Sequence, residues 1–127
     1  MSRYEVLFND VLLLTRSGRL SWSQIGRKEN AEIILNSHLV IRQFSATYQR
    51  GDDSLTLLLL ERRHLYMEED ILSEREERRR AELLILDEGE LAISLTEDLI
   101  KLARMMELLD LAILQSNRVR RILGVPA

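Results

Sequence analysis

The sequence predicts an α+β domain: an antiparallel β-sheet packed on one face by an N-terminal and a C-terminal helix, with a charged excursion helix between strands. Three observations carry this. Apolar residues near the N-terminus recur at intervals of three and four, the period of one helix face. From about Ala31 to Leu95, apolar runs are separated by clusters of Gly, Asp, Asn and Ser, as strands are separated by turns. The stretch Leu83–Leu114 reads as strand, tight turn, strand and long apolar-faced helix. The competing assignment is mostly α, with Leu55–Leu86 as one long helix, because leucine is a better helix former than strand former.

Tyr4, Leu7, Phe8, Val11 and Leu12, with Leu14 beside them, define the first helix and leave Glu5, Asn9 and Asp10 opposite. Ser2 is placed to cap it and Ser17-Gly18 to stop it, glycine suiting a left-handed position. Arg19 to Asn30 is polar with two apolar anchors, Leu20 and Trp22. It reads as a short strand or irregular arm laying Trp22 on the edge of the core, ending in a turn from Gly26. Ala31–Leu35, a turn at Asn36-Ser37 and His38–Gln49 form an expected hairpin, with Val40, Phe44, Ala46 and Tyr48 sharing one face. Gln49–Ser54 reverses the chain. Leu55–Leu60 returns as a strand apolar on both faces, and therefore central.

Glu61–Arg80 is a charge run. Glu74 precedes Arg78 and Glu76 precedes Arg80 by four residues, so a solvated helix is expected, with Leu65, Met67, Ile71 and Leu72 as its few anchors. A hairpin follows, turning at Asp87-Glu88-Gly89. Thr96 is the expected N-cap of the last helix, with Glu97 and Asp98 in its first turn. Leu99, Leu102, Ala103, Met106, Leu109 and Ile113 are assigned to its core face. Met105, Leu108 and Leu111 widen the apolar arc beyond what one sheet face covers. Gln115-Ser116-Asn117 is expected to break or bend this helix, leaving Arg118–Leu123 as a short last turn closed by Gly124 and Pro126.

At 127 residues the chain fits one domain, 1–127, that can bury a core without cross-links. A net charge of −3 gives no whole-protein attraction to nucleic acid or anionic membrane. The chain has no cysteine, which excludes disulfides, thiolate nucleophiles and Cys-ligated zinc. Glu5, Asn9 and Asp10 interrupt any secretory leader, and no apolar run approaches the ~18 residues of a membrane span. A cytoplasmic protein is expected.

Chemical motifs fail on missing partners. Arg50-Gly51-Asp52 spells an integrin-binding tripeptide, but turn chemistry already explains those residues. His38 and His64, the only histidines, have no second ligand at helical spacing. Asp87-Glu88-Gly89-Glu90 lacks the spaced oxygen ligands of a calcium loop. Glu68-Glu69-Asp70 lacks the enclosure that would split the pKa values of paired carboxylates. No G-x-S-x-G, P-loop or G-x-G-x-x-G occurs. No catalytic, metal or cofactor residue is assigned, and a non-enzymatic role is expected.

Two family resemblances arise. The helix, then Gly18-Arg-Leu-Ser-Trp22, a strand meander and LxxLARxxxLL from Leu99 to Leu109 together resemble small uncharacterised proteins of bacteria and their phages, a resemblance that implies no activity. The expected order α-β-β-β-α-β-β-α is similar to type III secretion chaperones, which implies a dimer holding an unfolded client segment.

The function expected from the sequence is a protein-interaction module that forms a homodimer through its C-terminal helix, using Met105, Leu108, Leu109 and Leu111. The alternatives are a chaperone or adaptor for another bacterial protein, and a weak nucleic-acid binder. The latter would use a basic cluster of Lys101, Arg104, Arg118, Arg120 and Arg121.

Overall fold

The computed structural model describes residues 2–65 and 77–124. The fold is α+β: a five-stranded antiparallel meander, in the order β1-β2-β3-β4-β5, with both helices on one face. Glu68, Glu69, Asp70, the centre of the expected charged helix and Pro126 lie outside the described residues.

Helix α1 (Arg3–Arg16) begins with a reciprocal cap. The Glu5 amide donates to Ser2 Oγ at 3.1 Å and the Ser2 amide donates to Glu5 Oε1 at 3.5 Å. It ends where Gly18 takes a φ of +75°, letting Arg19 and Leu20 donate to the Leu14 carbonyl. Its buried side is Leu7, Phe8, Val11, Leu12 and Thr15. The arm then buries Leu20 and Trp22 before forming strand β1 (Ser23–Ile25). Trp22 Nε1 donates to Thr15 Oγ1 at 3.0 Å, and that hydroxyl donates to the Val11 carbonyl at 2.8 Å.

The expected strand at Ala31–Leu35 does not form. β1 occupies that edge of β2 (Val40–Arg50), pairing Ser23 with Ser45 and Ile25 with Gln43. Residues 27–36 are turns, with Asn30 and Asn36 at positive φ, followed by one 3₁₀ turn at Ser37–Leu39. Three consecutive apolar residues, Ile33-Ile34-Leu35, lack the alternation that would give a half-buried strand its single apolar face. Ile34 instead packs with Val40, Leu58, Leu60, Leu84 and Leu86 on the sheet face away from the helices. The fully buried Gln43 fastens this loop. Its amide donates to the carbonyls of Glu29 (2.8 Å) and Gly26 (3.3 Å), and Asn30 donates to its Oε1 at 2.7 Å. A register shift between Val40 and Arg42 turns Val40 away from Phe44, Ala46 and Tyr48, which face the helices.

β3 (Asp53–Leu65) is central and lies between β2 and β4 (Glu77–Asp87). Leu57 and Leu59 face the helices, and Leu58 and Leu60 the opposite cluster. As a strand covered on both faces all four leucines are buried, which overrides their helix propensity. The expected charged helix is replaced at both ends by strand, Glu61–Leu65 closing β3 and Glu77–Arg80 opening β4. Among the described residues the order is α-β-β-β before this segment and β-β-α after it, and the helix that would complete the order resembling type III secretion chaperones falls on residues 66–76, outside the described residues.

β4 turns at Glu88 (φ +52°) and Gly89 (φ +82°) into β5 (Glu90–Leu95), the two positive values that a two-residue hairpin of this twist requires. Thr96 caps only one isolated turn, accepting from Leu99 and Ile100. Helix α2 starts later, at Leu102, and runs unbroken to Leu123, with Gly124 at positive φ after it. Gln115 does not break the helix because its side chain is employed elsewhere. It accepts from the Trp22 amide at 3.0 Å and donates to the carbonyls of Leu20 (3.2 Å) and Thr15 (3.3 Å), fastening α2 to α1 and the arm.

Candidate functional site

The two sides of α2 are divided differently from the sequence expectation. Met105, Leu108, Leu109 and Ala112 are completely buried in the main core, and Ser116 is buried beneath them. The expected interface residues Met105, Leu108 and Leu109 are therefore consumed by the fold, and Leu111 is half-buried against the same core. Conversely, Leu99 and Ala103, assigned to the core, are exposed, while Leu102, Met106 and Ile113 are half-buried. An apolar arc this wide does not fix by itself which part faces inward. α1, the Trp22 arm and β1 cover the side that one sheet face would have left open.

What α2 presents to solvent follows from a rotation of 100° per residue. Leu114 lies opposite the buried stripe and is 65% exposed. On its N-terminal side the outer face carries Glu107 and Asp110; on its C-terminal side it carries Arg118 and Arg121. The Arg16 guanidinium holds Glu107, with Nε donating at 2.8 Å, and Arg79 Nη2 lies 3.7 Å from Asp110 Oδ1. Both pairs are open to water. Among the described residues no ion pair involves Arg118 or Arg121. After Ser116 the described side chains of the last turns are all exposed, including Ile122 and Leu123. Arg120 belongs to these turns. Lys101 and Arg104 sit at the other end of α2, roughly 20 Å or more from Arg118 at 1.5 Å per residue, so the basic cluster read from the sequence is split in two.

A second polar region lies at one end of the sheet. Glu61, 1% exposed, accepts from Arg42 Nε at 2.6 Å and Arg79 Nε at 2.5 Å. Burial pushes its carboxyl up, but the hydrogen bonds and charges of Arg42 and Arg79 outweigh burial and hold it below the ordinary value. On the opposite sheet face a cleft of about 370 Å³ includes Arg62, Arg80, Glu82, Ser94, Thr96 and Glu97 in its lining. The charges of Arg62, Arg80, Glu82 and Glu97 are matched internally. Arg62 pairs with Glu82 at 2.5 Å, Ser94 Oγ donates to the other Glu82 oxygen at 2.9 Å, and Arg80 pairs with Glu97. Among the described residues, buried Arg80 Nε has no acceptor. At the opposite end of β2, Tyr48 donates to Asp10 at 2.5 Å. Burial and that carboxylate raise the phenol above its usual pKa, against the opposing pull of Arg50.

His38 is exposed on the 3₁₀ turn, while His64 lies in β3. Arg50-Gly51-Asp52 and Asp87–Glu90 are exposed hairpin ends. Among the described residues no group of three His, Asp or Glu side chains could hold a metal ion, and no helix is long and apolar enough to cross a membrane. Sequence reasoning missed Glu107, Asp110 and Leu114 as a surface, although their place opposite the buried stripe is readable once that stripe is fixed. No protein-family model, curated protein or solved structure matches this chain.

Proposed function

We propose that the chain is a non-enzymatic protein-interaction module that self-associates through the outer face of its C-terminal helix, in the cytoplasm. The observation that carries this reading is Leu114. It is a large apolar side chain, mostly exposed, at the middle of the solvent side of a 22-residue helix, with charged residues along the helix on both sides. Such an apolar centre with a charged rim is the composition of a contact surface. Leu13 is also exposed, one turn before the Arg16 that holds Glu107, so a second apolar side chain is available from α1. A chain without cysteine suits a reducing compartment.

Sedimentation velocity on the wild type and on Leu114→Glu tests the proposal. The wild type is expected to sediment as a dimer and the variant as a folded monomer, because a carboxylate at the centre of the contact is desolvated without a partner. A wild type that stays monomeric at all concentrations would refute it.

A further inference from the structure

The outer face of α2 has a symmetry that specifies its partner. Glu107, Asp110, Leu114, Arg118 and Arg121 lie on this face at successive spacings of three, four, four and three residues. Leu114 is the midpoint. Four residues before it stands an acid and four after it a base; seven before it stands an acid and seven after it a base. The pattern is a charge-inverting palindrome, and it lies on the side of the helix away from the stripe that is buried as far as Ser116.

Resting on the self-association proposed above, we infer that the partner is a second copy of this chain, bound with its α2 antiparallel across a twofold axis at Leu114. In that arrangement each Leu114 meets its twin, each Asp110 faces the partner's Arg118, and each Glu107 faces the partner's Arg121. Four oppositely charged contacts result. A parallel pairing would set Asp110 against Asp110 and Arg118 against Arg118, so electrostatics selects the antiparallel register. Arg118 and Arg121 have no ion-pair partner of their own among the described residues. Glu107 and Asp110 already meet Arg16 and Arg79, but in open, solvated pairs. A carboxylate can accept from a second guanidinium without releasing the first.

Because the chain has no cysteine, a single introduced thiol reports the geometry without background. Two helices packed at about 8–10 Å bring facing Cα atoms on the axis to roughly 4–6 Å, within the reach of a disulfide. Leu114→Cys is expected to oxidise to a covalent dimer. Arg121→Cys alone is not, since its two copies would lie about 20 Å apart along the paired helices. A mixture of Glu107→Cys and Arg121→Cys chains is expected to cross-link.

Charge reversal gives an independent reading. Asp110→Arg and Arg118→Glu should each weaken the homodimer about tenfold or more, since each places two like-charged pairs in the contact. Mixed together, they restore both pairs and should form a heterodimer in preference to either homodimer. Cross-linking at position 114 with heterodimer rescue supports the antiparallel register. A dimeric wild type whose Leu114→Cys form does not cross-link, or whose Arg121→Cys form does, overturns the register and leaves self-association standing. A monomeric wild type overturns both.

Discussion

Leu108 and Leu114 lie six residues apart on the same helix, and the structure assigns them opposite roles. Leu108 is completely buried among core side chains, whereas Leu114 is 65% exposed. Leu108→Ala removes the transfer energy of the lost methyl groups and leaves a cavity that the surrounding aliphatic side chains fill only in part. Fully buried leucines truncated in this way lose about 2.7–5.0 kcal/mol. For a domain of this size each kcal/mol corresponds to roughly 3–6 °C in Tm, so a fall of about 8–30 °C is expected. Leu114→Ala removes mostly solvent-exposed atoms from the monomer and should stay within ~0.5 kcal/mol of the wild type. Urea denaturation at low micromolar concentration, where association contributes least, measures both. A loss below about 1 kcal/mol at Leu108, or above about 2 kcal/mol at Leu114, would show that the inner and outer sides of α2 have been exchanged.

Two further changes probe the polar anchors. Gln43→Ala strands the carbonyls of Gly26 and Glu29 and the amide of Asn30, and should cost about 2–4 kcal/mol with faster hydrogen exchange across residues 26–36; unchanged exchange there would contradict the anchoring role. Glu61 titrates lower in the folded chain than in the unfolded one, so its contribution is fully present above the unfolded pKa of about 4.3 and is lost as pH falls through the folded value. Glu61→Gln should therefore flatten the decline in urea midpoint on acidification below about pH 5, and parallel wild-type and variant profiles would refute that assignment.

Much of the fold was legible because it is locally encoded. The cap and stop of α1, the β4–β5 hairpin and the doubly apolar β3 each follow from residues within one element. What failed depended on pairings between distant residues. The helical spacing of Glu74 with Arg78 and of Glu76 with Arg80 pointed to a helix, yet Arg78 and Arg80 belong to β4, opposite His64 and Arg62. Arg62 directly faces Arg80 and Arg63 faces Arg79, unfavourable pairs taken in isolation. They are offset by diagonal neighbours, Arg62 with Glu82 and Arg79 with Glu61, and this compensation is visible only once the register is known. Gln115 looked like a helix breaker because its partners, Thr15, Leu20 and Trp22, are some hundred residues away in sequence. The candidate surface failed for the same reason. The helix was recognised, but the choice of its inner side was made by α1 and the Trp22 arm, which no local periodicity reports.

Light scattering across a concentration series bears most directly on self-association. A mass that rises to twice the chain's 14.8 kDa is the predicted result. A mass that stays at 14.8 kDa up to the highest concentration would contradict it.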